Sequence, residues 1–157
     1  MVDHNWIVDF EAYLVDGKFW IKEIAILPLT NDNNFDNDTI YNLFVKSRGL
    51  ARTSIPNYGW YMQHHNIRPN FCDYFFDEAI AFIQWKIGNG KMYVKGREKC
   101  NFLREYFNVE ELPENLCSFK NMDGFADKCC DVKHSKFCCA RRKVFFLRKA
   151  FNDYKSK

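Results

Sequence analysis

From Trp6 to Leu14 the chain reads "WIVDFEAYL", a stretch patterned like a half-buried strand. Successive side chains of a strand point to opposite faces. Val8, Phe10, Ala12 and Leu14 therefore share one face, and Ile7, Asp9, Glu11 and Tyr13 share the other. The Asp-Gly pair in "VDGK" (Val15 to Lys18) favours a tight hairpin turn, which leads into a second strand over Phe19 to Leu27. The polar stretch "TNDNNFDND" is a loop by composition. A third strand, Thr39 to Ser47, completes an antiparallel meander, and the Gly and Pro punctuation from Arg48 to Pro69 predicts irregular structure. Phe75, Phe76, Ala79, Ile80, Ile83 and Ile87 recur at helical spacing, and the glycines at 88 and 90 end that helix. A short strand "KMYVKG", a helix "REKCNFLREYF" and a further strand near "LCSFKNM" follow. The last helix is predicted from about Ser135, with Phe137, Ala140, Val144, Leu147 and Phe151 as its buried stripe.

This order, a meander feeding alternating strands and helices, predicts a mixed α/β sheet with helices packed on it and the first strand central. No internal repeat or long linker divides the chain, so residues 1–157 are expected to form one domain. Asp9 and Glu11 then stand mid-sheet on one face. Two acids at i and i+2 repel unless something positive lies between them. A metal ion, a basic side chain or water each satisfies that need.

Composition adds constraints. Hydrophobic residues make up 47% of the chain and aromatics 18%, sixteen of them Phe, which is ample for a core without disulfides. No apolar run reaches the roughly 18 residues of a membrane span, and "MVDHNWIVDF" lacks the basic and apolar regions of a signal peptide. The expected setting is intracellular, cytoplasmic or nuclear, with no membrane partner. Seven cysteines in such a setting are expected as thiols. Cys117, Cys129, Cys130, Cys138 and Cys139 crowd around His134, which suggests metal chemistry. The net charge of +3 is mild, but Arg141, Arg142, Lys143, Arg148, Lys149, Lys155 and Lys157 face a single acid, Asp153, in the last segment. That basic helix is either a solvated face or a phosphate-facing surface, with Arg141, Arg142, Arg148 and Lys149 as its contacts.

The element order and the first-strand "D-x-E" resemble the ribonuclease H-like fold of the DEDDh 3′–5′ exonucleases. In that family the first-strand acids, a later helix Asp and a final "H-x4-D" pair hold two divalent metals. Asp9 and Glu11 match the first pair, and "HSKFCCA" matches the last motif with His134 in place and Cys139 where the Asp stands. Lys99 lies close to the middle acid's place, with Glu98 beside it and Asp131 as another substitute. A thiolate for a carboxylate favours zinc over magnesium. The set also resembles the Maelstrom domain, a DEDDh relative from transposon silencing that binds zinc through Glu, Cys, His and Cys. By that resemblance Glu11, Cys130, His134 and Cys139 hold zinc, with Cys129 and Cys138 as alternative thiols and Asp9 as a partner of His134 or a vestige of catalysis.

The resemblance implies a nucleic-acid-associated protein, acting on RNA or single-stranded DNA and connected with transposon or RNA silencing. The alternative it offers is an active nuclease dependent on magnesium or manganese, with Asp9 and Glu11 on the metal and His134 as general base. A third reading, an interaction domain, rests on Trp60, Tyr61 and Trp85 as exposed aromatics for protein partners. His64 and His65 in "WYMQHHNIRP" are candidates for base contacts. "KGREK" (Lys95 to Lys99) is either an anion-facing helix start or an ordinary turn.

Overall fold

The structure is a computed structural model that describes residues 5–29, 40–46, 50–69, 73–119, 125 and 139–156. Strands β1 (Trp6–Val15) and β2 (Lys18–Pro28) form a hairpin. Asp16 and Gly17 turn it with φ of 52° and 76°, the two positive values that a type I′ turn requires. Strand β3 (Tyr41–Lys46) continues the antiparallel meander. A 3-10 turn over Arg52–Ser54 and helix α1 (Tyr58–His64) come next, followed by β4 (Tyr74–Phe75) and helix α2 (Phe76–Ile87). The rest is β5 (Met92–Val94), α3 (Arg97–Leu103), β6 (Val109–Glu111) and α4 (Ala140–Lys155).

The described strands make one mixed sheet in the order β4-β3-β2-β1-β5-β6. β1 pairs antiparallel with β2 and parallel with β5, so it is central, as the sequence predicts. Its two faces feed two cores. Val8 and Phe10 pack with Ile24 and Ile26 under α2 and α3. Ile7, Ala25 and Leu27 pack with Val144, Leu147 and Phe151 of α4. A third, smaller cluster joins Tyr13 and Val15 to Ile55 near α1.

The β1–β2 ladder slips by one residue. Glu11 faces Glu23 but Ala12 faces Ile21, which leaves Lys22 as the extra residue of a β-bulge. The slip returns Ile21 to the α2/α3 core with Ile24. Lys22 is fully buried and donates to the carbonyls of Val45 at 2.5 Å and Pro69 at 2.6 Å.

Several expectations are corrected. Residues 48–69 are not all irregular, since α1 lies within them. The late strand is Val109–Glu111 rather than near "LCSFKNM", where described residues 116–119 form no strand. The last helix begins at Ala140, because Cys139 is extended at φ −88°, ψ 117°; Ser135 and Phe137 lie outside the described residues. No helix among the described residues is long and apolar enough to cross a membrane.

Candidate functional site

Asp9 and Glu11 point from the central strand towards the side that α4 covers, and both are buried, at 0% and 8% exposure. Their counter-charges are lysines. Lys99, in the first turn of α3, donates from Nζ to Asp9 Oδ1 at 2.7 Å and to the Phe10 carbonyl at 2.8 Å. Lys143, in the first turn of α4, donates to Glu11 Oε1 at 2.6 Å. A third carboxylate, Glu23, stands directly across the ladder from Glu11 and is also buried. Like charges placed opposite each other on a sheet repel. Glu23 is relieved by the start of α4 and by β3: Oε1 accepts the Ala140 amide at 2.8 Å, and Oε2 accepts Asn42 Nδ2 at 3.0 Å. The Cys139 thiol lies 3.8 Å from the same oxygen. Cys139 caps no amide of α4 with its own side chain, so Glu23 acts as the helix cap from a neighbouring strand, at the positive end of the helix dipole.

Three buried carboxylates thus meet two ammonium groups among the described residues. Asp9 Oδ2 is buried with no hydrogen-bond partner there. Burial raises the Glu11 carboxyl above its ordinary 4.5; Lys143 and Lys99 pull it back, and Asp9 adds to the rise. An acid whose pKa is raised by folding binds its proton more tightly in the native state. Its contribution is therefore greatest below the unfolded value and is lost as pH climbs through the folded one. Glu11→Gln, which cannot titrate, should gain stability relative to the parent as pH rises from about 4.5. Denaturant melts of both proteins from pH 4 to 8 measure it, and a flat difference would disprove it.

The zinc set inferred from sequence is covered only in part, since Cys130, His134 and the alternative thiols Cys129 and Cys138 lie outside the described residues. Of the other two, Glu11 is taken up by Lys143 and Cys139 is buried beside Glu23. No group of three or more His, Cys, Asp or Glu suited to a metal occurs among the described residues. Of the substitutes for the middle acid, Glu98 is exposed and Asp131 is not described.

The basic run on α4 does not form one solvent-facing surface. Arg148 is fully buried and reaches the Pro28 carbonyl at 3.3 Å, and Arg142 is buried as well. Arg141 is half-buried, and Lys149 is exposed but paired with Asp153 at 2.8 Å. His64 ends α1 and His65 is buried, rather than both lying on a loop. Sequence reasoning missed Glu23 and Lys143, although both left a signal. Lys22–Glu23 is a charged pair inside an apolar strand. Ala140, Lys143, Val144, Leu147, Arg148 and Phe151 form the complete i, i+3, i+4, i+7 series of one helix face, so Lys143 and Arg148 belong to the buried stripe. Compared with known families and curated proteins, the chain matches no family model and no curated sequence.

Proposed function

We propose that the chain is a nucleic-acid-associated module on a degenerate, ribonuclease H-like exonuclease scaffold, with an acidic centre closed by lysines in place of catalytic cations. The observation that carries this is the pairing of both first-strand acids, Lys99 on Asp9 at 2.7 Å and Lys143 on Glu11 at 2.6 Å. Two-metal phosphodiester cleavage needs carboxylate oxygens free to bridge ions about 3.5–4 Å apart. A divalent ion would have to expel two ammonium groups from oxygens they already hold in a water-poor site. A zinc ion held through Glu11 would likewise have to displace Lys143, so the closing role that the Maelstrom resemblance gives to zinc falls here to the lysines. The meander followed by parallel strands, with β1 central, supports the scaffold. His134 is assigned no part in this reading.

The test is cleavage and cation uptake together. The parent protein should degrade neither single-stranded RNA nor DNA with millimolar magnesium or manganese. It should also bind no stoichiometric manganese by electron paramagnetic resonance. Lys99→Ala/Lys143→Ala should gain manganese binding, because it frees Asp9 and Glu11. Cleavage by the parent that disappears in a folded Asp9→Asn variant would overturn the proposal in favour of an active metal-dependent nuclease.

A further inference from the structure

We infer that α1 and the turns beside it, residues 52–68, form a binding surface for single-stranded nucleic acid; this rests on the nucleic-acid reading above and gives it a place on the molecule. Charge is the first argument. Residues 39–72 contain no Asp or Glu and carry Lys46, Arg48, Arg52 and Arg68. Arg52 and Arg68 are exposed, and neither has an acidic partner among the described residues.

Shape is the second. Arg52, Tyr58, Met62, Arg68 and Pro69 line a cavity of about 590 Å³, within the roughly 300–1,000 Å³ range of small-molecule sites. The Arg52 guanidinium lies 4.8 Å from the Tyr58 ring centroid, so the planar cation is held against that ring in the cavity lining. On the same helix Trp60 is 54% exposed and is held by its stack on His64, with centroids 3.7 Å apart and planes 23° from parallel. His64 Nδ1 is 2.7 Å from the Trp60 carbonyl. An indole fixed in this way offers a π-surface with little ordering cost.

The support beneath is rigid. Tyr13 donates to the Ile67 carbonyl, Lys22 donates to the Pro69 carbonyl, and His65 accepts the Ile67 amide at 3.0 Å. Exposed arginines without acids, one of them against a tyrosine ring, and an exposed indole on the same helix are the recognition chemistry of unpaired strands, in which phosphates meet guanidinium groups and bases stack. A duplex keeps its bases stacked away from such a platform. An acidic peptide would use the arginines and leave Trp60 idle.

Fluorescence anisotropy of the full chain with fluorescein-labelled oligouridylate and oligothymidylate of about 12 nucleotides tests this. Trp60→Ala should weaken binding about tenfold or more. Arg52→Ala/Arg68→Ala should weaken it too and lower the slope of log affinity against log salt by about 1.4, at about 0.7 for each phosphate that is no longer neutralised. Arg141→Ala/Lys149→Ala on α4 should change little. All the altered side chains are outside the core, so thermal melts should match the parent. If the parent binds and the α1 variants bind equally well, the surface is wrong while the nucleic-acid reading stands. If the parent binds neither oligonucleotide, both fall. Equal competition by polyglutamate would show a general polyanion surface and would also overturn the inference.

Discussion

Glu11→Ala is expected to destabilise the fold by about 3–5 kcal/mol, because it leaves the Lys143 ammonium in the core without its carboxylate. The pair is buried on both sides, with each side chain 10% exposed, so water cannot take over the lost partner. The more telling variant is Glu11→Leu combined with Lys143→Met. Burial pushes the Glu11 carboxyl upwards against the pull of two lysines, and a buried ion pair commonly loses more to desolvation than its attraction returns. Replacing both charges with apolar groups of similar size should therefore recover the whole loss and could exceed the parent by about 1–4 kcal/mol. Chemical denaturation of the parent, the single and the double variant decides it. A double variant as unstable as Glu11→Ala would mean that the pair contributes net stability.

Lys22→Ala should have an effect of similar size through a different cause. The side chain is fully buried, and its ammonium is tied to two carbonyls from separate segments. Truncation removes about three buried methylenes at about 0.8 kcal/mol each. It also leaves the Val45 and Pro69 carbonyls short of a donor, at about 1–3 kcal/mol per group. Relief from burying a charge offsets part of this, and a net loss of about 3–5 kcal/mol is expected. Lys22→Met keeps most of the stem and should lose clearly less. Amide exchange should rise most around residues 65–69, which the ammonium holds against β3. Equal losses in Ala and Met would assign the whole effect to the hydrogen bonds.

The parts of the fold that could be read from sequence are those with a local cause. Alternation marks β1, Asp16–Gly17 marks the hairpin, and apolar spacing closed by Gly88 marks α2. β6 has no such cause: "VEE" carries no strand pattern and is extended because it pairs with β5. α1 escapes for a similar reason, since "YGWYMQH" has no apolar stripe and none of its residues is buried. The bulge hides in "IKEI", where the alternation changes phase and two charges turn to different partners. At the candidate site the need for something to offset Asp9 and Glu11 was legible from the two acids alone, with a metal ion, a basic side chain and water all open, and Lys99 came into view only through the exonuclease resemblance, near the place of its middle acid. Lys143 did not, because a run of basic residues does not advertise which member turns inwards. That depends on the phase of α4, and the phase is visible only when the lysine is counted into the apolar series.

The closing of the acidic centre by α4 also bears on how the chain acquires its structure. Lys99 meets Asp9 across 90 residues of sequence, Glu23 meets Ala140 across 117, and Lys143 meets Glu11 across 132. The central strand precedes both lysines in the chain: Lys99 can reach Asp9 once α3 is made, but Glu11 and Glu23 meet their α4 partners only after residues 140–155 have been added and docked. Until then Glu11, Glu23 and the apolar residues Ile7, Ala25 and Leu27 lack their α4 contacts on one sheet face. Contacts so distant in sequence slow folding, and an open sheet face of that kind is what chaperones and misassembled neighbours encounter. Lys143 thus acts as a late latch: every described strand precedes it in the chain, and this face of the sheet gains its α4 cover only after it arrives.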